Sequence, residues 1–333
     1  MITRRDFVQF GALAGAASIL SVDREALGAE PPPETKRLRI ARIPDNCYAP
    51  QYMAEEMLRG EGFSDLQYVP FPGSAPVYVA LAKGEVDLSM AFVSGHVIQA
   101  DAGAPIVMLA GMHPGCQELF ASKGIRSIRD LKGKSVAVLA LNNAQHGFLV
   151  SIVGHVGLDP RRDINWIVLS EQESIRQLAD GKVDAFIASP PTTYELRAQR
   201  IGHVLVNMTT DRPWSQYFCC LAAGNREFVR KYPIATKRAL RAILKATDLC
   251  VSHPESAARL MISRGVATNY DYVLQSVREI GYRKWREYES EDTMRFWCLR
   301  LREVGIVKSD PNKLLARGTD WRFINELKRE LKA

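Results

Sequence analysis

An eleven-residue pattern occurs twice in this chain, and it constrains the fold more than any other feature. Leu81–Ala91 and Leu178–Ala188 both read L-A-x-G-x-V-D-x-x-x-A, and Gly181 follows Gly84 by 97 positions. Leu and Ala suit the last turn of a helix, and Gly accepts the left-handed conformation that ends one. The apolar run that resumes at Val86 and Val183 reads as a buried strand. A helix–Gly–strand unit repeated at this distance predicts two similar α/β halves rather than one continuous sheet.

The flanking segments repeat in the same order. Strands are expected at Leu38–Ile43, Leu66–Phe71, Val86–Phe92 and Ile106–Gly111, with helices at Pro50–Leu58 and Ser74–Lys83. In the second half, strands are expected at Ser135–Ala140, Ile164–Leu169, Val183–Ala188 and His203–Val206. Helices are expected between them at Gln145–His155, Glu171–Ala179 and Thr192–Gln199. Short apolar runs alternating with amphipathic helices predict parallel sheets covered on both faces. From Asn225 onward the chain reads as largely helical. Leu240, Ile243, Leu244, Thr247 and Val251 share one face of a helix, with Lys237, Arg238, Arg241 and Lys245 on the other. Val277–Leu301 is a second amphipathic stretch with aromatics suited to packing on a lobe. The basic face reads as solvated. The net charge of +7 is spread along the chain, so no nucleic-acid partner is expected.

Residues 1–29 read as an export signal. Arg4-Arg5 precede the short apolar stretch Phe10–Val22, and Ala26-Leu27-Gly28-Ala29 offers a small-residue exit. The apolar stretch is too short for a bilayer-spanning helix. The paired arginines match a twin-arginine address, which places the protein in the periplasm. The six cysteines, at 47, 116, 219, 220, 250 and 298, show neither C-x-x-C nor zinc-ligand spacing, so no metal or cofactor is expected. They read as buried small apolar residues, with Cys219 and Cys220 on opposite faces of a strand.

In open α/β sheets a ligand binds beyond the carboxyl ends of the strands, where loops lead into helix N-termini. That rule selects Asn46 and Tyr48, with Asp45 beside them, then Ser74 after Gly73, and Ser94 and His96 around Gly95. From the second half it selects Asn142, Asn143 and Gln145 beside His146, then Glu171, Pro190 and Thr192 around Pro191. Trp214, near Tyr217, is the aromatic expected to wall the cleft, where it competes with ordinary core packing. Ser, Asn and Asp at these positions are also plain helix caps, so each has a structural reading beside the functional one.

In this order and spacing, several segments resemble the nitrate/sulfonate/taurine group of ABC solute-binding proteins, which includes the thiamine-precursor-like NMT1 proteins. They are Ala49–Glu56, Ala80–Asp87, Ile128–Val138, Asn225–Val229 and Lys237–Pro254. The resemblance covers nearly all of the chain after the signal. It implies a type II periplasmic-binding fold, two α/β lobes joined by a hinge, with a helical C-terminal segment. Residues 36–120 and 218–333 would form lobe 1, and 121–217 lobe 2. It implies capture of a small molecule between the lobes and delivery to a permease of the inner membrane; substrate identity does not carry over, and a monomer that takes a sulfonate-like anion is the first expectation. A pyrimidine-precursor ligand is the alternative.

Two rival classes fit the chain less well. There is no G-x-S-x-G elbow, phosphate loop or H-E-x-x-H, so no enzyme is expected. The nearest enzymatic rivals resembling this chain are fungal hydroxymethylpyrimidine phosphate synthases, whose cysteine-rich segment Gln216–Ala222 matches only in part. A sensory module would need an attached membrane helix or effector domain, and none is read in the sequence.

Overall fold

A computed structural model describes residues 30–332, so the expected export signal at 1–29 lies outside the described residues. Two five-stranded sheets organise the chain. The first has the order β2-β1-β3-β10-β4, from Asp65–Pro70, Arg37–Arg42, Leu88–Phe92, Phe218–Asn225 and Ile106–Pro114. The second has the order β7-β6-β8-β5-β9, from Ile164–Val168, Lys134–Val138, Ala185–Ala188, Glu118–Ala121 and His203–Asn207.

The two orders are the same once corresponding strands are matched, and the repeated pattern is the reason. Gly84 and Gly181 both adopt left-handed conformations, with φ of 70° and 71°. The aspartate three residues later then performs the same task in each lobe. Asp87 Oδ2 accepts a 2.7 Å hydrogen bond from the Arg39 amide on β1, and Asp184 Oδ2 accepts one of 2.9 Å from the Ser135 amide on β6. Each aspartate thus anchors the first strand of its lobe's repeated unit, β1 or β6, to the repeat. The strands that follow Val86 and Val183 lie in different sheets, as two facing halves require.

The sheets are mixed rather than parallel. In each, one strand runs antiparallel to its neighbours: β10 between β3 and β4, and β5 between β8 and β9. Both are the strands by which the chain arrives from the other lobe. Neither belongs to a strand–helix–strand unit, so the periodicity does not mark their direction. The expected helix over Pro50–Leu58 is two short helices, Ala49–Met53 and Glu55–Gly60.

The C-terminal third is helical, and it packs largely on the first sheet. Its basic face is not simply solvated: Arg238 and Arg241 both lie 3.3 Å from Glu61, and Lys237 pairs with Glu326 and Glu330. Arg241 is buried with these partners. Helix Ala144–His155 of the second lobe is buried from Ala144 to Val153. It packs against helices Val93–Asp101 and Ser290–Glu303, so a single core runs between the lobes. Among the described residues no helix is long and apolar enough to cross a membrane.

Candidate functional site

Two segments connect the sheets, from Pro114 to Glu118 and from Asn207 to Phe218. They touch where Gly115 turns with a left-handed φ of 65°, its α-carbon pressed so closely to Thr209 that any side chain would strike that residue. The Cys116 amide donates to Thr209 Oγ1 at 3.2 Å, and the Met208 amide to Gln117 O at 3.0 Å. On one side of this junction lies a small cavity of about 140 Å³ between the lobes.

The cavity is built from strand ends. From the first sheet come Ile43, Pro44, Asp45 and Tyr48 after β1, Gly73 and Ser74 after β2, and Phe92 at the end of β3. From the second come Leu139 and Gln145 after β6, Glu171 after β7, and Ser189 to Thr192 after β8. Helices begin at Ser74, Ala144, Glu171 and Thr192, so four N-termini border the space. Their unpaired amides favour acceptor groups.

Half of the expected contacts meet here: Tyr48, Ser74, Gln145, Glu171, Pro190 and Thr192 all line the cavity. The others do not. Asn46 is buried next to Tyr48, and neither amide atom has a partner among the described residues. Ser94 instead donates a 2.8 Å hydrogen bond to Ala144 O, joining the two lobes. His96 is fully buried edge-on to Tyr78, and burial pushes its pKa down to about 3. Asn142 takes a left-handed turn and donates its amide to His146 Nδ1, while Asn143 caps the following helix. Both are turn and cap residues.

The expectation for Trp214 is corrected most sharply. Its ring stacks on Trp297 at 5.6 Å and meets Phe296 and His155 edge-on, so it belongs to an aromatic core with helix Ser290–Glu303. It does not line the cavity. Helical periodicity marked the aromatics of that late helix as packing residues, but nothing local showed that Trp214 was their partner. Phe92, Leu139 and Ser189 went unselected, because apolar strand ends look the same whether they face a ligand or a core.

The electrostatics of the cavity are unusual for its helix N-termini. Asp45 and Glu171 line it, and among the described residues no Lys or Arg does. Asp45 is buried; loss of solvent, and then the field of Cys116, raises its pKa to about 8, although the Cys47 amide donates to it at 3.0 Å. Its carboxyl group is therefore neutral near pH 7 and can donate a hydrogen bond. Glu171 accepts 2.8 Å from the Thr192 hydroxyl. Tyr48 Oη is buried without a hydrogen-bond partner among the described residues.

A model of the NMT1-like family matches residues 31–263, most of the chain. The chain belongs to the NMT1-like family. Solved structures with the same fold include the periplasmic nitrate-binding protein NrtA from Synechocystis, 13% identical with a TM-score of 0.77, covering 91% of this chain and 90% of that one. The alkanesulfonate-binding protein SsuA from Xanthomonas axonopodis, bound to MOPS, is 18% identical with a TM-score of 0.68, covering 88% and 100%. The desulfurization enzyme DSZB is 13% identical with a TM-score of 0.63, covering 89% and 99%, so the fold also carries catalysis. No curated protein sequence matches the chain significantly. This NMT1-like chain thus has the two-lobed periplasmic-binding fold with a helical C-terminal segment.

The cysteines are buried as expected, but Cys219 and Cys220 do not point to opposite faces. All six are buried, but four of them gather in one place. Cys116 Sγ lies 3.3 Å from Cys219 Sγ. The Sγ atoms of Cys116, Cys219 and Cys220 all lie within 4.8 Å of one another. Adjacent strand residues should point apart; here the β10–β4 register shifts on both sides of Cys220, so the bulge lets both sulfurs face the same cluster.

Proposed function

We propose that this NMT1-like protein is the capture component of an ABC importer, working in the periplasm after twin-arginine export. It closes on a small molecule between its lobes, hinges at the two connecting segments, and delivers its ligand to an inner-membrane permease. The site then binds and releases without chemistry. The observation that carries this reading is the cavity: both sheets send strand-end loops to one space beside the junction of the connecting segments. Lobes with the boundaries 36–120 with 218–333, and 121–217, acting as single-chain monomers, complete the proposal.

The ligand is a small, neutral or cationic ring with several polar edges, of the aminopyrimidine type, rather than a sulfonate-like anion. Helix N-termini contribute roughly 0.3–1 kcal/mol each toward a bound anion. A unit negative charge about 5 Å away opposes it by roughly 3 kcal/mol at an effective dielectric of about 20. Four such ends together roughly match that opposition, and with no cation among the described lining residues no attraction is left to offset the desolvation of an anion. Tyr48 and Phe92 supply ring faces, and Asp45, Glu171, Gln145 and Ser74 supply donors and acceptors. The convergence of four helix N-termini favours the second reading, a small sulfonate.

A thermal-shift panel separates them, because a ligand selective for the folded state raises its stability. Aminopyrimidines should raise the midpoint, while taurine, alkanesulfonates and nitrate leave it unchanged. A shift with sulfonates alone would overturn the ligand assignment, and no shift with any small solute would overturn capture itself.

A further inference from the structure

Behind the cleft, strands β4 and β10 and the loop after β1 bring three metal-binding side chains together. Cys47, His113 and Cys220 offer ligand atoms within 4.8 Å of one another, and all three are buried. Cys220 is shared with the second grouping, which adds Cys116. His113 is the more telling member. Its Nδ1 lies 3.3 Å from Pro114 O, so that nitrogen is placed to carry the proton and leave a lone pair on Nε2. Nε2 is buried and has no hydrogen-bond partner among the described residues. A second-sphere carbonyl of this kind sets the tautomer that a metal-binding imidazole needs.

We propose that Cys47, His113 and Cys220, with Cys116 as the fourth ligand, bind a thiophilic d10 cation such as zinc(II) or copper(I). Soft thiolates with an imidazole select such ions over magnesium or calcium. Thiolates at about 2.3 Å and an imidazole nitrogen at about 2.0 Å from zinc, arranged tetrahedrally, place the sulfurs about 3.8 Å apart. Cys220 already lies within 4.8 Å of the ligand atoms of Cys47, His113 and Cys116, and rotation of the Cys116 side chain would complete the set. On binding, the three thiols release their protons to solvent and coordinate as thiolates. The site accounts for two features that ligand capture leaves unused: the orphaned ring nitrogen, and a bulge that turns two adjacent cysteines to the same side. Because Cys47 lies in the loop after β1 and Cys116 in one connecting segment, a bound ion would pin the cleft floor to the junction. The proposal is independent of which solute the cleft takes.

The test uses the full chain, reduced with a phosphine and freed of metal. Cobalt(II) serves as the spectroscopic stand-in for zinc, and copper(I) is titrated in a separate arm against a chromogenic competitor. One equivalent of cobalt should give intense visible d–d bands and near-ultraviolet thiolate charge transfer, and zinc should abolish them. Cys47→Ser and Cys220→Ser should each weaken uptake by more than about 100-fold, since even outer-sphere partners are typically worth 10–100-fold. Cys298→Ser, outside both groupings, should leave it unchanged. Tight copper(I) binding with no cobalt spectrum would keep the site and assign it to copper. Should the serine variants fail to fold, zinc-dependent protection of Cys47 and Cys220 from alkylation, followed by peptide mass at a urea concentration where the metal-free wild-type chain opens and exposes these buried thiols, gives the same readout. Absence of uptake of both ions, unchanged uptake in the serine variants, or alkylation indifferent to zinc would each overturn the site.

Discussion

The Thr192 hydroxyl donates a 2.8 Å hydrogen bond to Glu171 Oε1, tying the first turns of two helices in the second lobe at the cavity wall. The bond leaves the other carboxylate oxygen for a ligand, and it holds the charge of Glu171 in the lining. The sign of that charge is what separates the two ligand readings. Glu171→Gln keeps an oxygen for Thr192 and removes the charge. For a neutral or cationic ring, affinity should fall about tenfold, near 1.4 kcal/mol, while a sulfonate would bind better. Titration calorimetry with both ligand classes reads the difference directly.

Asp45 gives a prediction about pH. Its folded-state pKa is raised to about 8 from the ordinary 3.8. Between those values the folded protein holds a proton that the unfolded chain has released. Stability therefore falls as pH rises from about 4 to about 8, and the whole penalty is present above that. Asp45→Asn keeps the acceptor for the Cys47 amide and removes the titration. The variant should match the wild type near pH 4 and exceed it by several kcal/mol at pH 8 in urea unfolding. Equal stability at pH 8 would contradict the raised pKa.

The buried histidines work in the opposite direction. Burial lowers His96 to about 3 and His146 to about 4. Below the unfolded value near 6.5 the unfolded chain binds the extra protons, so stability falls as pH drops from about 6.5 through 4 toward 3. Moving from pH 8 to pH 7 should thus stabilise the wild type through Asp45, and further acidification below 6 should destabilise it. His96→Gln would be expected to soften the acid limb, provided the change is accommodated in the core, as judged by its thermal midpoint at pH 7.

Tyr48→Phe removes a buried hydroxyl that has no partner among the described residues. A buried unpaired polar group costs about 1–3 kcal/mol, so the ligand-free variant should be at least as stable as the wild type. If that hydroxyl serves the ligand, affinity should fall about tenfold in the same variant. Loss of stability without loss of affinity would place the hydroxyl in the fold instead.

Trp214→Ala should act on stability first. The ring is buried against Trp297, Phe296 and His155, and truncating such an aromatic typically costs 3–5 kcal/mol. Affinity for the cleft ligand, measured at a temperature where the variant remains folded, should change little. A normal unfolding midpoint with weakened binding would restore Trp214 to the cleft wall.

Much of the framework was legible residue by residue. Gly84 and Gly181, each followed by Val and Asp, located the same helix end and strand in both halves, because a left-handed turn and an aspartate anchor are local requirements. The helices Ser74–Lys83, Glu171–Ala179 and Thr192–Gln199 begin and end where their caps and periodicity predict. The loops after the strands pointed to Tyr48, Glu171 and Thr192 for the same reason: strand ends and helix starts fix where a cleft must open. Arg241 was less legible, since a basic residue on a helix reads as solvated until a distant Glu61 is folded onto it.

What the sequence by itself determined is the repeated α/β unit and the ring of helix starts around the cleft, because these depend on contacts within a few dozen residues. Only the tertiary structure decided the direction of β5 and β10, the place of Trp214, the charge balance of the cavity and the meeting of Cys47, His113, Cys116 and Cys220. Those residues are separated by up to 173 positions, from Cys47 to Cys220. No spacing rule links such distant side chains. Chain crossings between the lobes bring them together, and a one-residue bulge decides which way the last two sulfurs point.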